Sequence, residues 1–167
     1  MDQGRARTHR TRRPGMIVYR LSKAIHANDL SGTGAEKNGG RWNSKGIAMI
    51  YTSQSRALCI AEVAVHLPMG ILPGDYKLIS INIPGRSVFS LTDSELPKDW
   101  RSIPPGQSTR TIGDQFVYHQ KYLTLKVPSM IVKGEYNFLI NPLHPGMKNV
   151  SIVSAEIFEF DSRLFIR

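Results

Sequence analysis

Glu62 is the residue whose surroundings most demand a chemical explanation. It lies in "QSRALCIAEVAVHL", residues 54–67, where nearly every neighbour is Ala, Val, Leu, Ile or Cys. Residues three and four apart lie side by side on a helix, so Glu62 shares a stripe with Leu58, Cys59 and His66. A helix apolar almost all round packs inside a protein, which predicts that Glu62 is buried or lines a cleft. A carboxylate there needs a partner, because removing it from water unpaired is costly. His66 one turn on, Arg41 and Arg20 are the candidates. Two accounts follow: a buried ion pair that holds the fold, or an acid kept in a dry cleft for a ligand hydroxyl or a developing cation.

Arg41 follows Gly39 and Gly40. Glycines let the backbone approach a ligand while a neighbouring bulky side chain points at it, and a guanidinium matches phosphate bidentately. "GGRW" alone is common in ordinary turns. The histidines His26, His119 and His144 have no ligand spacing, and Cys59 is the single cysteine, so no metal site is expected. His144, between Leu143 and Pro145, reads as a loop-fixing residue. P-loop, GxGxxG and GxSxG signatures are absent.

The elements that must position these residues alternate along the chain. "MIVYRL" (16–21), "GIAMIYT" (46–52), "YKLISINI" (76–83), "RSVFSL" (86–91), "VPSMIV" (127–132) and "NVSIVSAEIFEF" (149–160) read as strands. The glycine-rich 28–40 and proline-rich 97–111 stretches read as loops. A helix is predicted from an N-cap at Ser53 to Pro68, and another over "GDQFVYHQKYL", residues 113–123. "YNFLINPLHP" reads as a turn at Asn141-Pro142. Strands interleaved with helices and long loops predict an α+β sheet domain rather than a doubly wound one.

A chain of 167 residues fits one domain, and no apolar run reaches the roughly 18 to 20 residues of a membrane helix. With a lone cysteine and no signal peptide, a cytoplasmic protein is expected, with Cys59 a packing residue. The net charge of +9 is unevenly spread: residues 1–15 hold five Arg and one Asp, leaving +5 on the rest. That leader has almost nothing to pack and is expected to be disordered, an upstream extension or a remnant of expression. The domain is expected to span residues 16–167. A nucleic-acid-binding module is the rival class, but no basic stripe carries interleaved aromatics.

Together the segments are more specific. "YRL" (19–21), "GGRWNSKGIAMIYTSQSRALCIAEVAVHL" (39–67), "IGDQF" (112–116), "VPSMIVKGEYNFLINPLHP" (127–145) and "FDSRL" (160–164) stand in the order seen in the RES-domain family, the toxins of RES-Xre bacterial toxin–antitoxin systems, which the chain resembles from Met16 to Arg167. Phe116 stands where many members carry Trp.

The resemblance implies a single domain like the ADP-ribosyltransferase fold, a mixed sheet with flanking helices and a cleft for NAD. It also implies cleavage of the nicotinamide–ribose bond. Carried over by motif, Glu62 is the acid, with Tyr51 and Arg41 beside it in catalysis. Arg20, Arg41, Tyr51, Ser129 and Asn137 would bind the NAD. Water, phosphate or a protein side chain would then accept the ADP-ribosyl group, giving hydrolysis, phosphorolysis or mono-ADP-ribosylation. The partner implied is an Xre-type antitoxin that blocks the cleft, and nucleic acid would be met only through it. The plainer accounts are Tyr51 as a core aromatic and Ser129 as a strand residue bonded to backbone.

Overall fold

The computed structural model describes residues 15–166. The expected leader, apart from Gly15, lies outside the described residues. Seven strands form one sheet: β1 (Met16–Lys23), β2 (Ile50–Ser53), β3 (Tyr76–Ile83), β4 (Val88–Ser90), β5 (Thr124–Pro128), β6 (Tyr136–Ile140) and β7 (Ser151–Phe158), in the order β4-β5-β6-β2-β1-β3-β7. Every pair is antiparallel except β4 with β5. Among the described residues three α-helices accompany it: α1 (Thr33–Asn38), α2 (Arg56–Ala64) and α3 (Gln107–His119). The expected α+β mixed sheet is what forms.

The strand β3 shows why this sheet has two cores. Leu78, Ile79, Ser80, Ile81 and Ile83 are all buried, so this strand is covered on both faces. One face carries Val18, Ile50, Ile79, Ile81, Ile83, Phe138 and Ile140. On the other, α2 sets Cys59 against Leu21, Leu78, Phe160 and Phe165, and α3 sets Val117 against Trp42, Met49, Leu125, Val127 and Leu139. The site residues stand on this second, helix-covered face.

Several expected boundaries move, each for a local reason. The helix cap is Ser55, whose hydroxyl accepts from Leu58 N at 3.1 Å, and not Ser53, which closes β2. α2 is also one-sided: Leu58 and Cys59 are its buried residues, while Arg56 and Ala57 are exposed. The glycine-rich loop contains α1. α3 starts at Gln107, earlier than expected, because contacts to residues 40–44 outweigh the modest helix propensity of its Ser and Thr. The predicted strand 127–132 ends at Pro128: Ser129 Oγ accepts from Ile131 N and Val132 N, both at 3.0 Å, and turns the chain. Residues 136–140, read as leading into a turn, form β6. No helix among the described residues is long and apolar enough to cross a membrane.

Candidate active site

Glu62 is half-buried in the last turn of α2. Its Oε1 accepts from Ser129 Oγ at 2.8 Å and from Asn137 Nδ2 at 2.6 Å. Asn137 Oδ1 in turn accepts from Ser53 Oγ at 2.9 Å. Ser53 and Asn137 are direct partners across β2 and β6, so their side chains stand on the same face. The turn that ends β5 aims Ser129, itself 1% exposed, at the same oxygen. Oε2 has no hydrogen-bond donor among the described residues.

The expected ionic partner is therefore replaced by two neutral donors. His66 is exposed and makes no hydrogen bond to Glu62. Because α2 is one-sided, the carboxylate keeps enough access to water that hydrogen bonds suffice where a fully buried charge would require a cation.

Arg41 lies beside this cluster without closing on it. Its Nη1 donates to the carbonyls of Trp100 at 2.7 Å and Ser102 at 3.0 Å. Burial lowers its pKa, while nearby Glu62 and Tyr51 pull it the other way. Tyr51 is half-buried, and its phenol donates to Asn43 Oδ1 at 2.7 Å and accepts from Trp42 N at 3.0 Å. Burial raises its pKa above the ordinary tyrosine value.

The segment from Gly39 to Ser44 is clamped from both sides. Asn43 Nδ2 donates to the carbonyls of Ala35 and Ile47. From α3, Arg110 Nε donates to Gly40 O at 3.2 Å, and Asp114 accepts from Ser44 N and Oγ at 2.9 and 2.6 Å. Gly113 lies against Trp42, where an added Cβ would sit 1.6 Å from the carbonyl oxygen. Gly40 is less tightly enclosed but still close, with a Cβ falling 2.6 Å from Tyr51 Oη. Two of the motifs, "GGRWNS" and "IGDQF", are thus the two halves of one joint.

Arg20 is set apart. It shares the β1 face of Val18, opposite Ile79, and donates to the main-chain carbonyl of Asp29. Burial lowers its pKa against the opposing effects of Asp29 and Cys59. It is Tyr19 that stands across from Ser53 and shares its face. His144 fixes its loop as expected, its Nδ1 accepting from Gly146 N at 2.9 Å. Ser53 is the functional-cluster residue that sequence reasoning missed; its signal was hidden because its partner is 84 positions away. A cavity of about 470 Å³ opens elsewhere, between Leu72–Lys77 and Ile157–Phe160, and contains none of these side chains. No group of three or more His, Cys, Asp or Glu suited to a metal occurs among the described residues.

A mixed seven-stranded α+β domain with one carboxylate seated by neutral donors beside an arginine-bearing turn defines the class. Within it, the chain belongs to the RES domain family, whose pattern it matches over residues 17–161. It is 38% identical over 146 residues to a protein of Sphingobium sp. named "Prs ADP-ribosylating toxin", covering 86% of this chain and 91% of that one. It is 36% identical over 151 residues to "Toxin Res" of Yersinia enterocolitica, covering 89% and 99%. Among solved structures, it superposes with a TM-score of 0.67 on a chain of the M. tuberculosis MbcT–MbcA toxin–antitoxin complex, at 20% identity, over 90% of this chain and 86% of the other, a likeness of fold.

Proposed function

We propose that this protein is the toxin of a toxin–antitoxin pair and that it breaks the nicotinamide–ribose bond of NAD, which serves as substrate. The observation that carries the reading is the unequal use of the Glu62 carboxylate: Oε1 is fixed by Ser129 and Asn137, and Oε2 has no donor among the described residues. An oxygen held in place but unspent can accept a ribose hydroxyl and face positive charge at the anomeric carbon. The C–N bond breaks with its electron pair leaving on nicotinamide. Water adding to the ribosyl cation gives ADP-ribose and a proton; inorganic phosphate gives the 1-phosphate ester. Arg41, with Nε and Nη2 not used by the described residues, is assigned to the pyrophosphate. The Tyr51 ring is assigned to the nicotinamide end.

A second reading has specific support in the Sphingobium relative's name: a protein side chain takes the place of water, and the product is a mono-ADP-ribosylated target. In either case an antitoxin of the Xre type, covering the cleft and supplying any contact with nucleic acid, is the proposed partner, and the cytoplasm the proposed compartment. The test is incubation of antitoxin-free protein with NAD, with and without phosphate and cell extract, and identification of products by mass spectrometry. Free nicotinamide with ADP-ribose or its 1-phosphate supports the first reading, and a labelled protein supports the second. NAD left intact in every mixture overturns both.

A further inference from the structure

Arg110, Gly113 and Asp114 occupy one face of α3, at the three- and four-residue spacing that aligns side chains on a helix. All three meet the segment Gly40 to Ser44, but they do so differently. Gly113 contributes absence of bulk, and Asp114 uses both carboxylate oxygens on Ser44. Arg110 uses only Nε, on the carbonyl of Gly40, and neither of its η nitrogens has an acceptor among the described residues. It has no acidic partner there either: the ion pairs among the described residues are Arg56 with Glu156 and Arg163 with Asp161.

Arg41 is the next residue after Gly40, so two half-buried arginines meet at one turn, Arg110 through the Gly40 carbonyl and Arg41 through the carbonyls of Trp100 and Ser102, with no carboxylate bonded to either among the described residues. Both lie near enough to Tyr51 to favour its ionised form, which places them at the same end of the cluster. Holding one carbonyl needs a single N–H. The remaining fork of Arg110 matches a phosphate group, which guanidinium recognises bidentately.

We infer that Arg110 is the second guanidinium of a phosphate-binding pair with Arg41, and that it sets the preference of this site for a pyrophosphate-bearing substrate. The inference rests on the NAD reading for its substrate. Its test has one arm that does not need cleavage at all. In the full chain, Arg110→Gln is expected to raise KM for NAD about tenfold or more while kcat stays within roughly threefold, the pattern of a lost binding contact. Arg110→Lys, which keeps the charge but loses the fork, should recover only part of that loss. An unchanged KM, or a fall in kcat as large as the rise in KM, overturns the assignment, the latter because it marks a purely structural role through the Gly40–Tyr51 joint. In the second arm, calorimetry measures ADP binding to Glu62→Gln and to Glu62→Gln with Arg110→Gln. About tenfold weaker binding in the double variant supports the pair; equal binding, or no ADP binding by either, overturns it. Wild-type protein that leaves NAD intact while ADP still binds through Arg110 would sink the reaction and leave the phosphate pair standing.

Discussion

The surroundings of Glu62 and those of Arg41 are held together by different kinds of contact. Around Glu62 the links run between side chains: Ser129 and Asn137 to the carboxylate, Ser53 to Asn137. Around Arg41 most links end on main chain, at the carbonyls of Ala35, Gly40, Ile47, Trp100 and Ser102 and the amides of Trp42 and Ser44. A side-chain network depends on chemical identity and tolerates an isosteric exchange that keeps its hydrogen bonds. A main-chain network depends on space, since the carbonyls stay whatever the side chain. The acid is therefore vulnerable to a change of charge and the arginine turn to a change of volume.

The largest effect should come from volume. In Gly113→Ala the new methyl would fall 1.6 Å from the Trp42 carbonyl oxygen, main chain that cannot rotate away. α3 must then lift off the turn, at a cost of at least about 3 kcal/mol. A denaturant titration checks this, and a variant that unfolds like wild type would show that the joint is not tight.

A change of charge should act on rate and not on stability. Glu62→Gln keeps a carbonyl oxygen for Ser129 and Asn137, both neutral donors, so no cation is stranded. Turnover of NAD should fall about 100-fold, roughly 3 kcal/mol of transition-state stabilisation, with the melting temperature nearly unchanged. Full activity would remove Glu62 from the mechanism. A large loss of stability would mean that an ionic partner holds it after all.

The smallest effect belongs to Tyr51, whose phenol ties the turn at two points. Tyr51→Phe leaves Trp42 N and Asn43 Oδ1 without the phenol, a loss of about 1–2 kcal/mol. It also changes the alkaline limb of stability. Burial raises the folded phenol above its unfolded value of about 10, so its contribution is complete below that pH and is lost as pH rises toward the folded value. The Phe variant should lack that part of the decline. Cys59, pushed up to about 12 by burial, acts with the same sign in both proteins, so the difference in unfolding midpoints below and above about pH 10 isolates Tyr51.

Local patterns were legible where the cause is local. The strand 76–83 has the boundaries its alternation predicts, between Asp75 and Pro84, because both of its neighbours in the sheet leave it buried. The start of α3 was not legible, since the contacts that Arg110 and Asp114 make with the turn at 40–44 join residues 70 positions apart. Glu62 stood out by its apolar neighbours, but its partners did not. Reading α2 as apolar all round called for a cation, whereas a half-exposed helix lets Ser129 and Asn137 suffice. Ser129 and Asn137 were reached through family resemblance alone, because no periodicity links positions 67 and 75 residues apart.

That separation also orders events in time. The donor from Asn137 is made 75 residues after the acid it holds. At about 5–20 residues per second of synthesis, Glu62 precedes it by roughly 4 to 15 s. During that interval the nascent chain carries the carboxylate without its seat, and a polypeptide cut short between these two positions never acquires it. The chain's own manufacture thus includes a delay before the site can exist, and any partner that must meet the finished protein has that delay in which to gather.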